Sequence, residues 1–219
     1  MSVVRVLLVD DEPARVDLRG ALGREPDIEV VGEADADADV PALVCAGKPD
    51  VVMLDVRLRA ADGTSATHHL LRTVPDPPRV LVLTAFGNDR DVYDALQAGA
   101  AGFLLKRAGP AEVVHAVRTV AAGEAVLFPA AVRELVAVRG RCRQGGLGAA
   151  ALTPREGEVL RWMARGLSDA EVARELAVGV EEAQAHVAAV IAKLGARGRV
   201  QAVIAAYESG FIDPRRPLD

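Results

Sequence analysis

Five short, unbroken apolar runs in the first 122 residues constrain this chain more than anything else in it. They are Val3–Val9, Ile28–Gly32, Val51–Leu54, Val80–Thr84 and Gly102–Leu105. A strand covered on one face alternates apolar and polar residues, whereas a strand covered on both faces is apolar throughout. Runs of this kind, separated by helical patterns, predict a parallel sheet with helices on both sides. The intervening helices have readable ends. Asn88 is placed to cap one, with Asp91 at its third helical position. Gly109-Pro110 opens another, which stops near Gly123. Five β/α units within about 120 residues describe an α/β flavodoxin-like doubly wound domain over residues 1–122.

The pattern then changes. Residues 123–151 read as a linker with a short helix opened by Pro129 and running to about Val138, followed by the Gly-rich, basic stretch RGRCRQGGLGAA. From Leu152 onward every signal is helical. Thr153-Pro154-Arg155-Glu156 and Ser168-Asp169-Ala170-Glu171 are both capping boxes, the first with Pro at the first helical position. They predict helices of roughly 154–165 and 169–177, followed by helices of about 180–194 and 199–209. Four short helices with tight turns form an all-α four-helix helix-turn-helix domain over 152–212, and residues 213–219 are a tail.

Composition narrows the setting. Apolar residues make up 51% of the chain but aromatics only 3%, so aliphatic side chains must fill both cores. The start, MSVVRVLLVDDE, turns acidic after one short apolar run and is not a secretion signal. No apolar stretch reaches the roughly 18–20 residues of a membrane span. Cys45 and Cys142 lack metal-ligand spacing and are expected as reduced thiols, which together predict a cytoplasmic protein. Residues 1–122 carry 13 basic and 19 acidic side chains, and residues 152–219 carry 9 and 10. The acidic first half suits a divalent-cation binder, while the near-neutral second half is unusual for a nucleic-acid binder.

Asp10 and Asp11 directly follow the first predicted strand, and Asp55 follows the third. In a doubly wound sheet these ends meet at the carboxyl edge, where such folds bind ligands. Three converging carboxylates repel one another unless a hard cation neutralises them, and Mg²⁺ fits best. Thr84 ends the fourth strand and Lys106 follows the fifth. A carboxylate nucleophile, a metal, a hydroxyl and a fixed cation form a phosphoryl-transfer constellation with Asp55 as the phosphoacceptor. Any one of these residues alone reads as a turn former or a solvated lysine, but the five together at four strand ends do not. A free-standing aspartate-nucleophile phosphatase would need a carboxylate two residues beyond the nucleophile. That position is Arg57, so no enzyme is expected beyond the domain's chemistry on itself. His68 and His69 are adjacent on one helix, and His115 and His186 stand alone, so no histidine metal site is expected. Trp162 and Met163 read as core.

VLLVDDE, VVMLDVRL…DG, VLVLTAF and AGAAGFLLKRA together resemble the receiver domain of two-component response regulators over residues 3–122. The resemblance implies that Asp11 binds Mg²⁺ directly, that Asp10 acts mostly through water, and that the Arg57 backbone carbonyl is a further ligand. It also implies a switch, in which phosphate draws Thr84 inward and Phe103 follows. A sensor histidine kinase as phosphodonor and a homodimer in the phosphorylated state come with it. Arg59 stands where the family usually has proline.

LTPREGEVLRWMARGLSDAEVARELAV…HVAAVIAKLGARGRVQAVIAAYESG is similar to the NarL/LuxR-type DNA-binding domain over residues 152–210. Its third helix then enters the major groove of double-stranded DNA. Periodicity assigns Val180, Ala183, Val187, Val190, Ile191 and Leu194 to the buried stripe of that helix. The positions expected to face DNA are Glu182, Gln184, Ala185, Ala188, Lys193, Arg197 and Arg199, and His186 matches a framework histidine. The family commonly has Ser, Thr, Lys and Thr where this chain has Gly179, Glu182, Gln184 and Ala185. Phosphate affinity must then come from Arg155, Arg161, Arg197, Arg199 and the Arg139–Arg143 linker. The alternative is a helix-turn-helix scaffold that serves as a protein-interaction or dimerisation module, and the salt dependence of duplex binding separates the two.

Overall fold

The computed structural model describes residues 3–35, 38–58, 65–85, 90–125 and 152–213. The expected Asn88 cap, Arg59, the Pro129 helix, the basic linker and the tail lie outside these, apart from Asp213. The chain divides into two compact units, Met1–Val126 and Leu127–Asp219.

The first unit alternates strands and helices: β1 (Val4–Val9), α1 (Glu12–Leu22), β2 (Ile28–Ala34), α2 (Val40–Gly47), β3 (Val51–Asp55), α3 (Ala66–Thr73), β4 (Arg79–Thr84), α4 (Arg90–Ala98), β5 (Gly102–Leu105) and α5 (Pro110–Ala121). The strands form one sheet of order β2-β1-β3-β4-β5, parallel throughout. Val6–Val9, Val51–Leu54 and Val80–Leu83 are each at most 2% exposed. Successive strand residues face opposite ways, so exposure this low along whole runs requires cover on both faces. That is the physical source of the unbroken apolar runs. One face packs Val6, Leu8, Met53, Leu81 and Leu104 against Val113, Val117 and Val120 of α5 and Leu22 of α1. β2 extends two residues beyond the apolar run, with a register shift in which Val6 pairs with Val30 and Leu7 with Gly32. A Cβ on Gly32 would lie 3.0 Å from Leu7 Cδ1, so the shift favours glycine there. α5 opens with Pro110 after Gly109, and the turn beyond it uses Gly123 at φ +93°.

The second unit consists, among its described residues, of α6 (Pro154–Ala164), α7 (Asp169–Leu176), α8 (Val180–Lys193) and α9 (Arg199–Glu208). Both expected capping boxes form. Glu156 N donates to Thr153 Oγ1 at 3.2 Å while Thr153 N donates to Glu156 Oε2 at 2.7 Å. Glu171 N donates to Ser168 Oγ at 3.3 Å while Ser168 N donates to Glu171 Oε2 at 2.8 Å. α7 ends on Ala177 in the left-handed region at φ 55°, and Val178 N closes the cap on Ala173 O at 3.0 Å. The core joins Val159, Leu160 and Met163 of α6, Val172 and Leu176 of α7, Ala183, Val187 and Val190 of α8, and Val203, Ile204 and Tyr207 of α9. Three expectations change here. Val180 is 46% exposed, because it sits at the first position of α8, ahead of the part that packs on α6 and α7. Ile191 and Leu194 are half-buried at the edge of the stripe, and Trp162 is half-buried rather than core. No helix among the described residues is long and apolar enough to cross a membrane.

Candidate phosphoryl-transfer site and helix-turn-helix surface

The order β2-β1-β3-β4-β5 reverses direction between β1 and β3, so a crevice opens at their carboxyl ends. Asp10 leaves β1 there, one residue past the Val9–Leu54 pair, and Asp55 ends β3 opposite Leu83. Thr84 ends β4 opposite Leu105 and is 2% exposed. Its carbonyl accepts the Lys106 backbone N–H at 2.8 Å, which fixes the start of the lysine side chain beside the crevice.

Lys106 Nζ is the centre of the site. It donates to Asp10 Oδ1 at 2.5 Å and to Asp55 Oδ2 at 2.7 Å, and lies 3.6 Å from Asp11 Oδ1. Asp55 Oδ1 also accepts the Arg57 backbone N–H at 2.8 Å. Asp10 is fully buried and accepts Asp11 N at 2.7 Å, yet its Oδ2 has no hydrogen-bond partner. Burial pushes the Asp10 carboxyl above the usual carboxylate range, with Lys106 opposing that rise. The exposed Asp11 is held below that range, chiefly by hydrogen bonding with the Asp10 side chain. Burial would lower the Lys106 ammonium, but its bonds to Asp10 and Asp55 outweigh this and raise it.

One ammonium among three carboxylates leaves a local surplus of two negative charges. The partnerless Asp10 Oδ2 lies in that surplus. A buried carboxylate oxygen without a donor is costly unless a cation or water takes it up. The residues present therefore fit a small hard cation that keeps part of its water shell. Among the described residues no three His, Cys, Asp or Glu side chains already form a cage for an ion. Lys106 Nζ lies within 3.6 Å of the Asp10, Asp11 and Asp55 carboxylates. Phe103 lies within β5, and it and Thr84 are each 2% exposed.

The second unit places its expected DNA-facing residues in two groups. Glu182, Gln184, Ala185 and Ala188 are exposed along α8, and Arg197 is exposed just after it. Arg199 is placed otherwise than expected, while Lys193 is exposed but paired. Lys193 Nζ donates to Glu156 Oε2 at 2.8 Å, tying the end of α8 to the capping box of α6. Arg199 is 7% exposed, with Nη1 on the Leu167 carbonyl at 2.5 Å and Nη2 on Asp169. Its guanidinium staples α9 to the start of α7 and faces no solvent-side groove. Arg155 donates to the Leu176 carbonyl at 2.9 Å, and Arg161 stacks 4.9 Å from the Phe211 ring centre. Reasoning along the sequence missed Glu156 and Asp169 as partners, although both stand in the capping boxes it identified.

A receiver-type α/β unit followed by a helix-turn-helix unit defines the class to which this chain belongs. Residues 6–118 match the response regulator receiver domain, and residues 150–206 match the bacterial regulatory proteins of the luxR family. The chain is a member of the transcriptional response regulators with a LuxR-type DNA-binding domain. It is 32% identical over 212 residues to the transcriptional regulatory protein LiaR of Bacillus subtilis, covering 96% of this chain and 100% of LiaR. It is 37% identical over 209 residues to the DNA-binding transcriptional activator DevR/DosR of Mycobacterium tuberculosis, covering 94% and 95%. Among solved structures it resembles the response regulator ChrA of a heme-sensing two-component system, at TM-score 0.51 and 31% identity over 97% of this chain and 100% of ChrA. The response regulator RcsB bound to DNA shares the fold, at TM-score 0.55 and 20% identity over 94% and 99%.

Proposed function

We propose that this response regulator is switched by phosphorylation of Asp55 by a sensor histidine kinase and then acts on double-stranded DNA as a homodimer. The observation that carries the reading is the position of Lys106 Nζ, within 2.7 Å of Asp55 Oδ2 and 2.5 Å of Asp10 Oδ1. In the transfer, a carboxylate oxygen of Asp55 attacks the phosphorus of a phosphohistidine. The P–N bond breaks as the P–O bond forms, and the imidazole leaves with the electron pair and takes up a proton. Lys106 is already in place to neutralise a phosphoryl oxygen, and the Thr84 hydroxyl accepts the role of hydrogen-bond donor to the product.

Asp10, Asp11, Asp55 and the Arg57 backbone carbonyl would hold Mg²⁺, which supplies charge neutralisation at the phosphoryl group. The orphaned Asp10 Oδ2 supports that assignment. Once Asp55 carries an acyl phosphate, negative charge moves from its carboxylate to the phosphoryl oxygens, so the pull on the Lys106 side chain changes. Inward bonding of Thr84 and repacking of Phe103 carry that change to the surface of α4, β5 and α5. A protein whose partner is DNA works in the cytoplasm.

Labelling by acetyl phosphate with Mg²⁺ tests the reading. Asp55→Asn abolishes it and Lys106→Ala reduces it strongly. Undiminished labelling of the Asp55→Asn protein would move the phosphoacceptor elsewhere.

A further inference from the structure

The outward face of α8 has a chemistry of its own. Glu181, Ala185, Ala188 and Ala192 recur at helical spacing opposite the buried Ala183, Val187 and Val190, and Gln184 flanks them one turn before Ala188. The only lysine or arginine in α8 is Lys193, and its ammonium is bonded to Glu156 at 2.8 Å. Guanine is read in the major groove chiefly by a bidentate Arg or Lys on O6 and N7. α8 offers no such group on this face. Glutamates accept hydrogen bonds only, and guanine presents only acceptors to the groove. What the face does offer is three methyl groups, from Ala185, Ala188 and Ala192, one amide, from Gln184, and in its first turn the Glu181 carboxylate, which among bases can accept from a cytosine amino group. A methyl suits the C5-methyl of thymine, and an amide pairs bidentately with adenine N6 and N7.

We infer that the middle of α8 specifies A·T pairs, with Ala185 and Ala188 packing on thymine methyls and Gln184 bonding adenine, and that no guanine is bonded directly beneath these three residues. The inference rests on the second unit binding duplex DNA through α8. It assigns base preference to three residues, of which two carry no polar group at all. Short side chains also bring the helix backbone closer to the base edges than lysine or threonine would allow. The close fit makes the contact sensitive to the loss of a single methyl.

The test is selection from a random duplex pool with the full-length chain, phosphorylated and unphosphorylated, followed by deoxyuridine substitution in the selected site. Deoxyuridine removes the thymine methyl and leaves Watson–Crick pairing intact. Replacing a contacted thymine should weaken binding about three- to fivefold, the value of one buried methyl group. Replacing a thymine outside the half-sites should change nothing. Gln184→Arg, an exposed change that leaves the core intact, should convert one selected adenine to guanine. Specific binding to guanine-containing half-sites with no response to deoxyuridine would overturn the inference while leaving DNA binding standing. Binding of the selected duplex no tighter than that of random sequence would instead overturn the DNA reading itself, in favour of a protein-interaction module.

Discussion

Replacing Arg199 with alanine separates a structural guanidinium from a DNA-binding one. Its side chain is 6% exposed, and it bonds the Leu167 carbonyl and the Asp169 carboxylate, whose side chain is 16% exposed. Truncation removes two charge-assisted bonds and strands a nearly buried carboxylate. Together these cost about 3 kcal/mol, with partial rehydration of Asp169 keeping the figure from rising further. For a unit of about 60 residues that corresponds to a fall in Tm of about 12–24 °C. The chain's single tryptophan, Trp162, lies in α6 of the same unit, so its fluorescence during urea or thermal unfolding of the full chain reports this unit specifically. Arg199→Lys keeps the charge but loses the planar fork, and should recover only part of the loss. An unchanged Trp162 transition, with DNA affinity reduced several-fold, would refute the argument and restore Arg199 as a phosphate contact.

Other outcomes can be stated briefly. Asp11→Ala should weaken Mg²⁺ binding, measured calorimetrically, more than Asp10→Ala, since Asp11 is exposed and Asp10 is pinned by Lys106 and Asp11 N. Ala177→Gly relieves an exposed left-handed residue at the end of α7 and should stabilise the second unit by about 0.5–1 kcal/mol in urea titrations. Glu156, through Lys193 first, and Glu171, through the Ser168 backbone first, are both held below the ordinary value of 4.5. A depressed carboxyl stabilises above its unfolded value and loses that contribution as pH falls through its folded value. The Trp162 transition should therefore weaken below about pH 4.5, and Lys193→Ala should flatten the part of that dependence carried by Glu156. With Lys193 and Arg199 engaged internally, duplex binding should show a shallow salt slope, on the order of −2 to −4, steepened by Glu182→Thr with Gln184→Lys.

Much of the architecture was legible because its signals are local. Unbroken Val and Leu runs marked strands covered on both faces, and two capping boxes marked the starts of α6 and α7 within a residue. The carboxylates and Lys106 were legible as a group because each follows a strand directly, and parallel strands bring those ends together. What escaped the sequence depends on contacts across the fold. Arg199 and Asp169 lie 30 residues apart, and nothing in the local pattern distinguishes a buried arginine from a solvated one. The same holds for Lys193 and Glu156, 37 residues apart. Periodicity assigned Val180 to the buried stripe, but only packing decides whether a first-turn residue is covered.

The internal pairing of Lys193 and Arg199 reaches beyond stability to how the regulator finds its sites. Every genome presents a vast excess of irrelevant duplex, and a strongly cationic binder is titrated by it. A domain that buries one cation and pairs another with its own carboxylate should gain less from each phosphate and leave such duplex sooner. In the proposed dimer, two weak modules would gain their hold only where both half-sites are correct, which would make the assembled pair, rather than the single chain, the unit that reads the genome.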